Sequence, residues 1–221
     1  MNKTNKRGGF YWDNDIPYIS VTTVLGDVLK KTGLEYWMKQ QVYLAMVKNP
    51  YLSEAQAMQS VYETSSSAAD RGSTVHSLIE AYKSSGAVID TVPEQFKGYA
   101  NAFYKWLAYF KPEILEQEKT LKNEEHKYAG TCDMVCMKEG KKFLIDFKTS
   151  EKGQLYPEVE LQLSAYKHCL PDVDEIMAVG LSQEGEYIEK VCNDRFDIFL
   201  NVKNIWVWNN EKKLKKIGYI R

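Results

Sequence analysis

Tyr128-Ala-Gly-Thr-Cys-Asp133, the turn Lys138-Glu-Gly-Lys141, the run Phe143-Leu-Ile-Asp-Phe-Lys-Thr149, and a following helix with Gln162 and Tyr166 organise this chain. Alternate side chains of a strand share a face, so Asp146 and Lys148 point one way while Phe143, Ile145 and Phe147 point the other. One face is thus expected to be core and the other to carry chemistry. The preceding strand repeats the pattern, with Cys132, Met134 and Cys136 on one face and Thr131, Asp133 and Val135 on the other. Paired as a hairpin, the two strands set Asp133 beside Asp146. Two carboxylates and a lysine at a sheet edge make a hard-oxygen site for a divalent cation, suited to attack of water on a phosphodiester.

Taken in order, Gly130-x-x-Asp133, Ile145-Asp146-x-Lys148-Thr149 and Gln162-x-x-x-Tyr166 resemble the PD-(D/E)XK nuclease superfamily. The likeness is to its RecB-like exonuclease branch, which includes phage exonucleases and the mitochondrial genome maintenance exonuclease. It covers residues 70 to 170 well and the flanks poorly. The resemblance implies a restriction-endonuclease-like α/β fold, with a mixed central sheet flanked by helices. It also implies a Mg²⁺- or Mn²⁺-dependent deoxyribonuclease acting on DNA. More than a hundred residues, read as successive helices, precede the first core strand. Placed against the active-site edge they would restrict access to a strand threaded from its end, so an exonuclease on single strands or frayed ends is expected. Asp133, Asp146 and Lys148 would be its catalytic group, with the backbone carbonyl of Ile145 a further metal ligand. Gln162 and Tyr166 would support catalysis and position the DNA backbone, and Thr149 and Arg71 would contact it. Some relatives hold an iron-sulfur cluster through one cysteine before the nuclease core and three after it. Here Cys132 and Cys136 lie inside the core and only Cys169 and Cys192 follow, so no cluster is expected.

The resemblance implies two further metal ligands from upstream. Arg71-Gly-Ser-Thr-Val-His76 is similar to the family's Arg-Gly-x-x-x-His segment, whose histidine binds metal; a histidine bordering an apolar helical stripe also suits a purely structural role. Glu80 lies one turn further on. Glu116 and Glu118 share a face of a strand expected over Ile114 to Leu121, and Glu118 has the better spacing for the family's first acidic position, with Glu116 in reserve. The alternative to an enzyme is a nucleic-acid-binding or assembly subunit that keeps the fold without cleaving.

At 221 residues with a net charge of -1, the chain is long enough for one domain and is not a uniformly basic nucleic-acid coat. We read a single domain over 1–221: a helical N-terminal half over 1–111, a sheet core over 112–192 and a C-terminal helix over 193–221. No apolar run is long enough to span a membrane and no signal-like segment opens the chain, which reads as soluble and cytoplasmic. The dense basic cluster Lys212-Lys-Leu-Lys-Lys216 has the character of a solvated helix end.

Residues 1 to 19 read as irregular backbone, broken by Gly8-Gly9 and Pro17. Ser20 is placed as an N-cap for Val21 to Lys30, followed by a helix over Leu34 to Lys48. A helix over Ser53 to Glu63, the polar Thr64-Ser-Ser-Ser67 and a helix over Ala68 to Tyr82 come next. Phe96, Tyr99, Phe103, Trp106 and Phe110 recur at helical spacing and are assigned to the core rather than to base stacking.

Overall fold

The structure, a computed structural model, describes residues 5–29, 32–85 and 92–220. Its frame is a mixed sheet flanked by helices. The strands are β1 (Asn5–Arg7), β2 (Phe10–Asp13), β3 (Ile16–Ser20), β4 (Glu113–Asn123), β5 (Tyr128–Lys138), β6 (Lys141–Ser150), β7 (Glu175–Ser182) and β8 (Tyr187–Val191). The helices are α1 (Val21–Val28), α2 (Thr32–Lys48), α3 (Glu54–Ser85), α4 (Lys97–Phe110), α5 (Glu158–Lys167), α6 (Phe196–Asn209) and α7 (Glu211–Lys216).

Residues 1 to 19, expected to be irregular, contain three strands that join the main sheet. Gly8 and Gly9 both have positive φ (62° and 86°), as do Asn14 and Asp15 (46° and 66°), so the supposed irregularities are tight two-residue hairpin turns. Between them Phe10 and Trp12 face one side and Tyr11 the other. The N-terminal half is therefore not wholly helical.

Strand registers show that the sheet forks. β4 runs antiparallel to β5 along nearly its whole length, from Glu113↔Met137 to Asn123↔Tyr128. The opposite edge of β5 is shared. Its first residues pair in parallel with β3 (Ile19↔Tyr128, Ser20↔Ala129), and its last pair with β6 from Met134↔Ile145 to Lys138↔Lys141. Gly130 to Asp133 pair with neither β3 nor β6. Beyond the fork β6 continues parallel to β7, and β7 antiparallel to β8.

Helices cover both faces, so neither face is left open for chemistry along its whole length. Leu144 and Val135 pack with α1, α5 and α6, while Phe143, Ile145 and Phe147 pack with α4. Cys132 belongs to the first cluster although Met134 and Cys136, expected on its face, belong to the second; the change falls where β5 exchanges β6 for β3. The aromatic stripe of α4 is core: Tyr99, Phe103, Trp106 and Phe110 are buried. Thr64 to Ser67 do not break the chain, because α3 runs unbroken through them from a capping box at Ser53 and Gln56. Ser20 stands at the start of α1 without a side-chain cap bond; its hydroxyl meets that of Thr22 instead. The single C-terminal helix expected over 193–221 is two, separated at Asn210.

Candidate active site

The fork is filled from α5. A Cβ on Gly130 would lie 2.2 Å from Cε1 of Tyr166, so only glycine lets that ring close over β5. One turn earlier on the same helix face, the Gln162 amide donates to Oδ1 of Asp146 at 2.6 Å and lies 3.3 Å from the Tyr166 hydroxyl. Lys148 donates to the Gln162 carbonyl oxygen at 3.1 Å and is ion-paired with Oδ2 of Asp146 at 2.7 Å. That Oδ2 is buried and, among the described residues, meets only the Lys148 ammonium. Burial pushes the Asp146 carboxyl up, partly countered by Lys148. Burial alone would favour neutral Lys148, but Asp146 and Asp133 outweigh it and hold the amine protonated.

Asp133 lies across the fork. Its Oδ2 accepts the amide N–H of Phe147 at 2.6 Å, continuing in side-chain form the ladder that ended at Met134↔Ile145. A strand residue turns its N–H and C=O to the same edge, so the carbonyl that faces the open fork is that of Phe147. Ile145, to which the resemblance assigned a carbonyl ligand, lies inside the ladder opposite Met134.

Oδ1 of Asp133 is 3.1 Å from Nδ1 of His76, which α3 brings over the sheet, and Glu118 Oε1 is 3.9 Å from the same nitrogen. A bond from Gln117 to the carbonyl of Ile79 locks β4 to α3 beside them. Glu118 has φ of 47°, a left-handed conformation inside a strand. A non-glycine residue there is strained, and such strain is held only where surroundings impose it. Glu116, the reserve candidate, turns to Lys119 at the surface.

Ligand atoms of His76, Glu118 and Asp133 all lie within 4.8 Å of one another. Burial works against the imidazolium, yet the hydrogen bond and charge of Asp133, with Asp146 behind it, raise His76 to about 9. Burial and then the charge of Asp133 raise Glu118 to about 7. These groups crowd negative charge that a proton on His76 only partly relieves. The donor set of one imidazole and two carboxylates, beside the buried carboxylate of Asp146, fits a divalent cation.

The structure thus brings Asp133, Asp146, Lys148, Gln162, Tyr166, His76 and Glu118 to one fork. Thr149 lies on β6 where α3 crosses, 3.8 Å from the position of a Cβ on Gly72. Arg71 lies outside the described side chains. Tyr11, which sequence reasoning missed, donates to or accepts from the Thr131 hydroxyl at 3.2 Å and feels the charge of Glu118. The signal for it was the alternation of Phe10, Tyr11 and Trp12 between two turn dipeptides.

No protein-family model matches the chain, and no curated protein matches it. Among solved structures, an alkaline exonuclease from Laribacter hongkongensis is similar, with a TM-score of 0.48, 11% identity, and coverage of 91% of this chain and 90% of that one. The same exonuclease in complex with dAMP gives 0.46, 13%, 91% and 90%. The protein SSO0001 gives 0.44 and 15%, covering 93% of this chain and 77% of its own. At these scores and identities the likeness adds nothing to the chemistry of the site.

Proposed function

We propose that this protein is a metal-dependent deoxyribonuclease that works as an exonuclease on single-stranded or frayed DNA ends, in recombination, repair or replication. The observation that carries the reading is the convergence of His76, Glu118 and Asp133 on one point beside a lysine held by Asp146 and Gln162. His76, Glu118 and Asp133, with Asp146 adjoining, would hold a Mg²⁺ or Mn²⁺, which would supply charge neutralisation and acidify a water at the scissile phosphate. Lys148, kept protonated by its carboxylate neighbours, orients that water and offsets the charge that builds on the phosphate oxygens. Gln162 holds both Lys148 and Asp146 in place, and Tyr166 closes the fork behind it. Thr149 and Arg71 are assigned to the DNA backbone. A scaffold without activity has no use for three buried or half-buried acids around a histidine.

The end requirement rests on α2 and α3. Since β1 to β3 belong to the sheet, the helical excess is smaller than a count from the first residue suggests. It is nonetheless a long hairpin whose α3 carries His76, and such a hairpin restricts access to a strand threaded from its end. The test is release of nucleotides from end-labelled DNA, comparing linear and covalently circular single strands with Mg²⁺ or Mn²⁺. Linear strands should be degraded and circles spared. Efficient cutting of circles removes the end requirement, and no metal-dependent cleavage of either removes the nuclease assignment.

A further inference from the structure

The lysine cluster at the C-terminus is not an isolated helix end. α7 lies against the Gly8-Gly9 turn: the Lys213 amine reaches the carbonyl of Gly8 at 3.5 Å and stands 5.0 Å over the ring of Phe10. On the same face of the N-terminal hairpin the Arg7 guanidinium lies 5.8 Å over the indole of Trp12. Arg7, Trp12, Asn14 and Asp15 line a cleft of about 340 Å³. The indole N–H of Trp12 is buried and has no hydrogen-bond partner. Lys6, Arg7, Lys212, Lys213 and Lys216 are all exposed, and none of them has an ion pair among the described residues. In a chain of net charge -1 this is a concentrated local positive field.

The cluster connects with the site. β1 is the edge strand of the sheet, and its two basic residues straddle that edge. Arg7 lies over Trp12, whereas Lys6 lies 5.5 Å over Tyr11, on the face where Tyr11 meets Thr131 of β5. β2 and β5 are separated only by β3, about 10 Å at ordinary strand spacing.

We propose that the N-terminal hairpin and α7 form a second binding surface for the substrate strand, resting on the nuclease reading above. Phosphates pass along Lys6, Arg7, Lys213, Lys212 and Lys216, and one unpaired base enters the cleft that Arg7 and Trp12 line. Charge complementarity selects a polyanion, and the indole in the cleft wall selects one with exposed aromatic bases, which is single-stranded rather than paired nucleic acid.

The experiment measures fluorescence anisotropy of labelled single-stranded DNA, about 20 nucleotides long against about 4, on the full chain in chelator across a salt series. Wild type should prefer the longer strand. The triple variant Lys212→Glu, Lys213→Glu, Lys216→Glu should lose most of that preference, and its slope of log affinity against log salt should fall by about 2, at about 0.7 per phosphate contact. Trp12→Leu keeps an apolar side chain but removes the aromatic surface of the cleft, and should weaken the long strand several-fold without changing the salt slope. A wild type that cleaves DNA while both variants bind the long strand as tightly as it does overturns this surface and leaves the nuclease standing. A wild type that neither binds nor cleaves DNA overturns both. If sedimentation shows the triple variant passing from dimer to monomer, the surface is a contact between copies and the strand assignment is wrong.

Discussion

Lys148 and Asp133 occupy opposite sides of the fork and should fail differently when altered. Lys148 touches Asp146 and Gln162 and belongs to no ligand trio. Lys148→Ala should therefore lose about 100-fold or more in cleavage rate, the scale of removing one charge-stabilising donor, while Mn²⁺ affinity is retained. Asp133→Asn removes an anionic oxygen from the trio and should weaken Mn²⁺ binding as well as cleavage. Asp146→Asn should weaken Mn²⁺ binding less than Asp133→Asn, since both of its oxygens already face Gln162 and Lys148. Calorimetric titration of the three variants with Mn²⁺ checks this, and equal affinities would contradict the division of roles. His76→Ala should depress Mn²⁺-supported activity and raise the metal concentration it needs, because imidazole binds Mn²⁺ more readily than Mg²⁺.

Between elements, the contact that decides the site is α5 against β5. Tyr166 closes over Gly130 with no room for a methyl group, and Tyr128 donates to the carbonyl of Ala165 at 2.8 Å on the same helix. Gly130→Ala must push α5 outward or twist Tyr166, and the expected cost is about 1–3 kcal/mol of stability, typical of overpacking. Because Gln162 rides on α5, cleavage should fall further than the stability loss alone would explain. Urea unfolding beside single-turnover kinetics separates the two effects. A variant with lower stability and full activity would show that α5 does not position Lys148.

Across the whole molecule, a divalent ion at the proposed site would join α3, β4 and β5, which carry His76, Glu118 and Asp133. In the metal-free protein His76 is raised from 6.5 to about 9 and Glu118 from 4.5 to about 7. Both folded-state values lie above the unfolded ones, so each group contributes stability at low pH that is lost as pH rises through its folded value. The metal-free protein should accordingly lose stability from about pH 4.5 to pH 9, His76 accounting for the portion above pH 6.5. Binding of the ion requires these groups deprotonated and runs the other way. The rise in melting temperature produced by Mn²⁺ should thus be larger at pH 9 than at pH 6, and His76→Ala should flatten the difference. Scanning calorimetry with chelator and with Mn²⁺ at both pH values measures it.

Local alternation and order along the chain already carried much of this protein. The β5–β6 hairpin, the apolar stripe of α4, and the neighbourhood of Asp133, Asp146 and Lys148 were legible because periods of 2 and 3.6 residues map directly onto faces, whereas Gln162 came with the family resemblance. The N-terminal strands were misread because hairpin turns of Gly8-Gly9 and Asn14-Asp15 look like breaks until two strands are seen to pair across them. What only the tertiary structure decided is where β5 changes partner. Register on its shared edge opens the gap at Gly130 to Asp133, brings Tyr11 to Thr131 and turns Phe147 rather than Ile145 to the fork, while on the other edge β4 brings Glu118 rather than Glu116 to His76. The β3 pairing and the Tyr11 contact join residues more than a hundred positions apart, and no local pattern records which distant strand takes an edge.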